Sequence, residues 1–441
     1  MIVDDLKRAW EGERLVVSGR LTWENSNRKA TRLRFEFEPT VADDVECNPN
    51  AFLAATAAPA MYYGEKRLLI EGKICPVLVD NLLTVLTQFR EWYDKKRTFP
   101  AIESTDGVQT RVPRSPRRAA QFFSGGIDAL TTLRRNRLHY PADHPLSIRD
   151  CINVFGMHLD DYTVETEEPN PARVAMWDYN LKQIRRIAEA ADVEFYQIRT
   201  NVLGVFDKPS FFIGEYLSSV MLSLSHLLTR RISDVFLASS DYLGDFAPCA
   251  SHPLIDPYYG SSDIQVYHDG SRLTRLEKVR LISDWPAARS MINVCSSWEV
   301  PEDGMNCGHC AKCVRTMTEL LVCGKLHESP TFHDNDVDPA VFKKFALRSA
   351  HEVAYLVECI EPLRAMGRED LIKAIEERFH DYEMWLRRRS GRGLKQKLKQ
   401  IDEHLFGGLV RERWQAFRGI DPLQSDRLAQ RAALSEAKRN S

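Results

Sequence analysis

Between residue 119 and about residue 325 the chain alternates short, continuously apolar runs with longer amphipathic ones, and this pattern constrains the fold more than any other. "AAQFFS" leads into a helical pattern from Ile127, "CINVFGMHL" into "PARVAMWDYNLKQIRRIAEAA", and "VEFYQIRTN" into "IGEYLSSVMLSLSHLLTRR", after which "DVFLASSDY" follows. A strand with no polar alternation is buried on both faces, and amphipathic helices between such strands supply the cover. The expectation is an α/β fold with a parallel sheet carrying helices on both faces. Ligands of such sheets bind outside the carboxyl ends of the strands.

Two flanking regions differ in period. Residues 1–115 open with "RLVVSGRLTW" and "TRLRFEFEP", where Leu33, Phe35 and Phe37 alternate with charges, and "ENSNRK" between them offers a hairpin turn. Helical spacing of Leu82, Leu86, Phe89 and Tyr93 follows, and "TRVPRSPRRAA" ends the region with two prolines and four arginines among residues 111 to 118. The first region therefore reads as a small α+β domain, residues 116–328 as the parallel-sheet core, and residues 329–441 as a helical appendage. Ala346, Val353, Leu356 and Ile360 would form the core-facing stripe of that appendage, and a basic run spans Arg387 to Lys399.

Composition narrows the class. In 441 residues, 44% hydrophobic and 28% charged with a net charge of −2, the chain has enough apolar mass for one large core or several smaller ones. Charges from Asp4 onward argue against a signal peptide, and the longest uncharged stretch, "NPNAFLAATAAPAMYYG", is cut by Pro49 and Pro59, so no membrane span is expected. Ten cysteines are too sparse for a disulfide scaffold, which points to a reducing cytoplasm.

The first motif is "FSGGIDAL". A strand ending in Ser124-Gly125-Gly126 and feeding a helix at Ile127 presents backbone N–H groups, free of Cβ obstruction, at the positive end of that helix. A Walker-type loop would need Lys-Ser/Thr after its glycines, and a dinucleotide loop a third glycine; Ile127-Asp128-Ala129 supplies neither. What remains is a turn whose Ser124 hydroxyl and amides can hold pyrophosphate, with Asp128 placed near Mg²⁺. The plain alternative is a strand-to-helix turn with a cap.

The second motif is "NVCSSWEVPEDGMNCGHCAKCVRTM". Cys295, Cys307, Cys310 and Cys313 form C-x11-C-x2-C-x2-C, the spacing of a closed tetrahedral Zn²⁺ site that clamps an irregular loop and performs no chemistry. His309 as a replacement ligand and an iron–sulfur cluster are the alternatives.

The Ser-Gly-Gly-x-Asp loop resembles that of the PP-loop ATP pyrophosphatases, which cleave ATP between the α and β phosphates. Here Ala129 stands where that family usually carries a hydroxyl residue. With the downstream Cys and Cys-Gly-x-Cys-x-x-Cys, residues 119–325 resemble the 7-cyano-7-deazaguanine synthase (QueC) family, and the added flanks are similar to its longer members in antiphage defence operons of the Qat and CBASS types. Two segments depart from the family: "FFIGEYLSS" stands in place of an Arg-Asn pair, and "SSDYLGDFAPCASHPLIDPYYGSS" replaces the Asp-x-Ser-Gly-Tyr-Pro-Asp segment. The resemblance implies a ligase that adenylates the carboxylate of a 7-deazaguanine-type acid, using ATP, Mg²⁺ and Zn²⁺, and passes the acyl group to ammonia or to an amine of a partner protein.

Within that frame, Ser124, Gly125, Gly126, Ile127, Asp128 and Ala129 would line the pyrophosphate site. Lys278, with Arg275 three residues earlier, would reach phosphate, or else lie on a solvated helix face. Gly156, Met157 and His158 at the end of the second strand would take adenine through backbone groups. Ser240, Asp241, His252 and Asp256 would read the base, an Asp accepting from the ring N–H and amino group of a guanine-like ligand; Asp256-Pro257 as a simple turn is the alternative. The basic segments at Arg114–Arg118 and Arg387–Lys399 keep open a tRNA-modifying enzyme, though thiolation would need a reactive cysteine and Cys151 reads as packing. A catalytically silent nucleotide-binding scaffold is the third class.

Overall fold

The computed structural model describes residues 1–109, 111–157, 161, 169–206, 209–295 and 306–389. They form two compact units, Met1–Ser240 with Pro248–Ser271, and Asp241–Ala247 with Arg272–Ser441.

The first unit is built on a ten-stranded sheet. Its strands are β1 (Ile2–Glu11), β2 (Arg14–Thr22), β3 (Thr31–Phe37), β4 (Arg67–Ile70), β5 (Ala101–Ser104), β6 (Ala119–Phe122), β7 (Ile148–Phe155), β8 (Glu194–Thr200), β9 (Asp234–Ala238) and β10 (Gln265–Asp269). They lie in the order β10-β9-β6-β7-β8-β3-β2-β1-β4-β5. The strands β6 to β10 all pair in parallel, which bears out the α/β expectation. Read from β8 to β10, their chain order is third, second, first, fourth, fifth, so the winding reverses between β6 and β9.

The expected boundary near residue 115 is not a boundary of the sheet. The β2–β3 hairpin forms as expected, but β3 then pairs antiparallel with β8, Phe35 opposite Thr200 and Phe37 opposite Ile198. Leu33, Phe35 and Phe37 are fully buried. Left alone, β8 would end the parallel sheet in a row of unpaired backbone groups, and β3 covers that edge. Residues 1–115 therefore extend the same sheet, and the apolar core is shared: one cluster holds Leu33, Phe35 and Phe37 together with Ala120 and Phe122 of β6 and Ile152 and Val154 of β7.

Helix α1 (Pro49–Tyr62) is buried on all sides from Asn50 to Met61, so the uncharged stretch that sequence patterning could only exclude as a membrane span is an interior helix. α2 (Pro76–Tyr93) buries Leu82, Leu86 and Phe89 on the predicted face. α3 (Ile127–His139) follows β6, α4 (Pro171–Ala190) follows β7, and α5 (Leu217–His226) precedes β9. α5 packs on α1, where Ser219 Oγ donates to the Ala54 carbonyl at 2.6 Å.

The second unit contains α6 (Arg275–Ser283), α7 (Ala311–Val322), α8 (Ala350–Ala365) and α9 (Glu369–Arg389). Capping boxes start α6 at Thr274 with Glu277 and α8 at Ser349 with Glu352. The cysteine loop belongs to this unit with the C-terminal helices, not with the parallel sheet as the division at residue 328 supposed. Val353 and Leu356 are buried as expected, while Ala346 is exposed because the helix begins only at Ala350. The basic run beyond Arg389 lies outside the described residues. Among the described residues no helix is long and apolar enough to cross a membrane.

A shared sheet has a mechanical consequence. Cleavage at a protease site inserted between Val112 and Ser115 should leave the two fragments associated through β3–β8 on native size exclusion. Independent elution of an N-terminal fragment would show a separable domain.

Candidate functional site

The loop after β6 sits where the winding of the sheet reverses, at the carboxyl end of the first strand of the parallel set β6 to β10. Gly125 has φ +74, a left-handed conformation that glycine adopts without steric cost. Gly126 is the N-cap of α3 with no side-chain cap, and its N–H donates to Ser124 Oγ at 3.3 Å. The first helical bond runs from Leu130 N–H to the Gly126 carbonyl at 2.9 Å. The N–H groups before Leu130 therefore lack an intrahelical acceptor and share the helix end with the positive pole of its dipole. Ser124 is exposed, Asp128 occupies the first turn, and Ala129 is buried.

The second strand end is already furnished. Gly156 has φ +101 and its N–H donates to Asp161 Oδ2 at 3.0 Å, while Asp161 Oδ1 takes Arg173 Nε at 3.0 Å. Asp161 and Arg173 are both buried. The backbone donor offered to adenine is thus spent on a carboxylate that sequence reading had passed over. Met157 is half-buried, and His158 lies outside the described residues.

The four residues expected to read the base are divided between the two units. Ser240 is exposed beyond β9 in the first unit, whereas Asp241 belongs to the second, where it accepts from Tyr355 Oη at 3.2 Å and pairs with His351 Nδ1 at 2.9 Å. His252 is largely buried with its ring edge-on to Trp92, centroids 4.9 Å apart, and its Nδ1 accepts from Leu254 N–H at 3.0 Å. Asp256 is fully buried and accepts from Ser251 Oγ at 2.9 Å, His252 N–H at 3.3 Å and His268 Nδ1 at 2.7 Å. His268 was missed because β10, "QVYHD", is too polar to read as a strand.

In the second unit, Arg275 and Lys278 are both buried, so neither a solvated face nor an open phosphate face describes α6 as it stands. Arg275 donates to Glu319 at 3.2 Å and to Thr316 Oγ1 at 3.3 Å. Burial pushes the Glu319 carboxyl above the ordinary carboxylate range, with Arg275 and Arg315 drawing it back in part. This is the geometry of an interior ion pair, which holds α6 to α7.

The cysteines do converge. The sulfurs of Cys295, Cys307, Cys310 and Cys313 all lie within 4.8 Å of one another, with 4.0 Å between Cys295 and Cys310, 3.8 Å between Cys307 and Cys313 and 3.4 Å between Cys310 and Cys313. Four thiolates about 2.3 Å from a tetrahedral Zn²⁺ stand about 3.8 Å apart, so the group could hold that ion. Gly308 supplies the left-handed turn at φ +72, and Cys310 N–H donates to Cys307 Sγ at 3.3 Å. Cys310 is also the N-cap of α7, whose dipole favours a thiolate there. His309 Nδ1 contacts the Cys307 carbonyl at 2.7 Å, and His309 is not in the sulfur group. Cys151, by contrast, is fully buried and its thiol is pushed up to about 12, as suits packing.

No family model, no curated protein and no solved structure matches this chain. The fold and site therefore define the class by themselves: an α/β protein with a ten-stranded sheet and a four-cysteine cluster able to bind a metal.

Purified under reducing conditions, the chain should carry one metal ion per copy, and Cys310→Ser should lose it. Elemental analysis checks both. A metal-free wild-type protein that unfolds at the same temperature with and without added Zn²⁺ would contradict the assignment.

Proposed function

We propose that the chain activates the carboxylate of a 7-deazaguanine-type acid with ATP and passes the acyl group to an amine, as the resemblance to the 7-cyano-7-deazaguanine synthase family implies. The observation that carries this reading is the Ser124–Asp128 loop, with its left-handed Gly125 and uncapped helix end, at the point where the sheet reverses its winding. Such a turn offers several aligned N–H groups to an anion and no lysine to a terminal phosphate, which suits a leaving pyrophosphate.

The reaction has two steps. A carboxylate oxygen attacks the α-phosphorus, the α–β bridging bond breaks, and pyrophosphate leaves with its electron pair. The amine nitrogen then attacks the acyl carbon, the carbon–oxygen bond to AMP breaks, and the amine loses a proton to solvent. In the first step Ser124 Oγ and the loop amides bind the departing phosphates and spread their charge. Mg²⁺, when bound, would screen the same oxygens, with Asp128 in the first turn of α3 as its nearest carboxylate along the loop. The cysteine cluster would hold a structural Zn²⁺, closed to substrate. Ammonia or an amino group on a partner protein would serve as acceptor, in a cytoplasmic setting of antiviral defence. For a tRNA-thiolating enzyme Cys151 is unsuited, since the thiolate is the nucleophile and burial suppresses it. A silent scaffold would bind ATP without turnover.

With ATP, Mg²⁺ and 7-carboxy-7-deazaguanine, the protein should release AMP and pyrophosphate. ADP and phosphate as products would sink the reading, and binding without turnover would leave the scaffold. In a second test, Asp128→Ala should cost only about 0.5–1 kcal/mol of helix-end stabilisation while AMP release in a single turnover falls by about a hundredfold or more, the scale on which one electrostatic contact to a transition state acts. Thermal unfolding beside rapid-quench AMP release measures both, and near-normal release would make Asp128 merely a first-turn acid.

A further inference from the structure

Asn306, immediately before Cys307, is fully buried and uses its whole hydrogen-bonding capacity. Its Oδ1 accepts from Val294 N–H at 3.0 Å and from Cys295 N–H at 3.2 Å. Its Nδ2 donates to the Ile292 carbonyl at 2.8 Å and to the Thr331 carbonyl at 3.2 Å. Two N–H partners on one side and two carbonyls on the other fix the orientation of the amide, and no other side chain of this size offers two acceptor and two donor sites on one planar group.

Those four bonds tie together three backbone segments: 292–295, the start of the cysteine knuckle, and Thr331. Cys307, Cys310 and Cys313 lie within seven residues and meet through the Gly308 turn and the first turn of α7. Cys295 is different, since eleven residues separate it from Cys307 and closing a loop of that length costs entropy. Among the described residues, the Asn306 amide grips the N–H of Cys295 itself and that of the residue before it.

We propose that Asn306 is the positioning residue that makes Cys295 the fourth ligand: an amide staple, formed without metal, that presents the Cys295 thiolate to the other three and so keeps the site closed. The inference rests on the reading of the four sulfurs as a metal site. Without the staple, three thiolates remain and the fourth position opens to water, the arrangement that distinguishes Lewis-acidic sites from structural ones.

The test uses the full chain loaded with Co²⁺ in place of Zn²⁺. Asn306→Ala should lose about a quarter of the thiolate-to-cobalt charge-transfer intensity, three thiolates replacing four, and should yield Zn²⁺ to a chelator about 10–100-fold more readily, as loss of a ligand's supporting partner typically does. An Asn306→Ala protein with the wild-type spectrum and chelator resistance would overturn the proposal. Should that variant not fold, hydrogen exchange on zinc-stripped wild-type protein decides: peptides spanning residues 292–295 should stay protected while those over 307–310 lose protection, and simultaneous loss would overturn it. A wild-type chain that binds neither Zn²⁺ nor Co²⁺ would instead bring down the metal site itself.

Discussion

The central position of β6 governs the first unit. A parallel strand flanked on both sides, by β7 and β9, can be joined to neither by a hairpin, so the chain must leave it over one face and return. The first exit is α3, reached through Ser124-Gly125-Gly126. Because later strands are added first on the β7 side and then on the β9 side, the connections run away from β6 in opposite directions, the place where such sheets form a ligand crevice. The turn there is left with an exposed serine, a left-handed glycine and a helix end without a side-chain cap, and the proposed function rests on that placement.

How much of this was legible depended on whether the signal was local. The Ser-Gly-Gly turn and the cysteine spacing are local, so both could be placed by number, as could the parallel strands β6 to β9, each a short, largely apolar run. Two kinds of element were not. α1 is buried on all sides and so has no amphipathic stripe to display, and β10 carries Gln265, His268 and Asp269 in five residues, with its carboxyl end held by side chains from elsewhere: Asp269 by Thr132 and Arg135, His268 by Asp256. The joining of β3 to β8 is invisible for a third reason: an alternating strand specifies that one face is buried but not which edge it will cover.

The same distinction explains the side-chain outcomes. Arg275, Lys278 and Asp256 were read as polar and therefore available to ligand or solvent, yet all three are buried. A charged residue inside a protein costs several kcal/mol unless paired, and the pairings that make burial tolerable, Arg275 with Glu319 and Asp256 with His268 and Ser251, join residues distant in sequence or on elements not read as such. Asn306 belongs with them: nothing in "GMNCGHC" marks its amide as the holder of Cys295.

The central claim is that a carboxylate oxygen of the substrate becomes bonded to the α-phosphorus of ATP. It is tested most directly with a 7-deazaguanine acid labelled with ¹⁸O in both carboxylate oxygens, turned over with ATP and ammonium or an amine. Mass spectrometry of the nucleotide product should find AMP carrying one ¹⁸O, transferred when the acyl–oxygen bond breaks. Unlabelled AMP, or label recovered in inorganic phosphate beside ADP, would contradict the account.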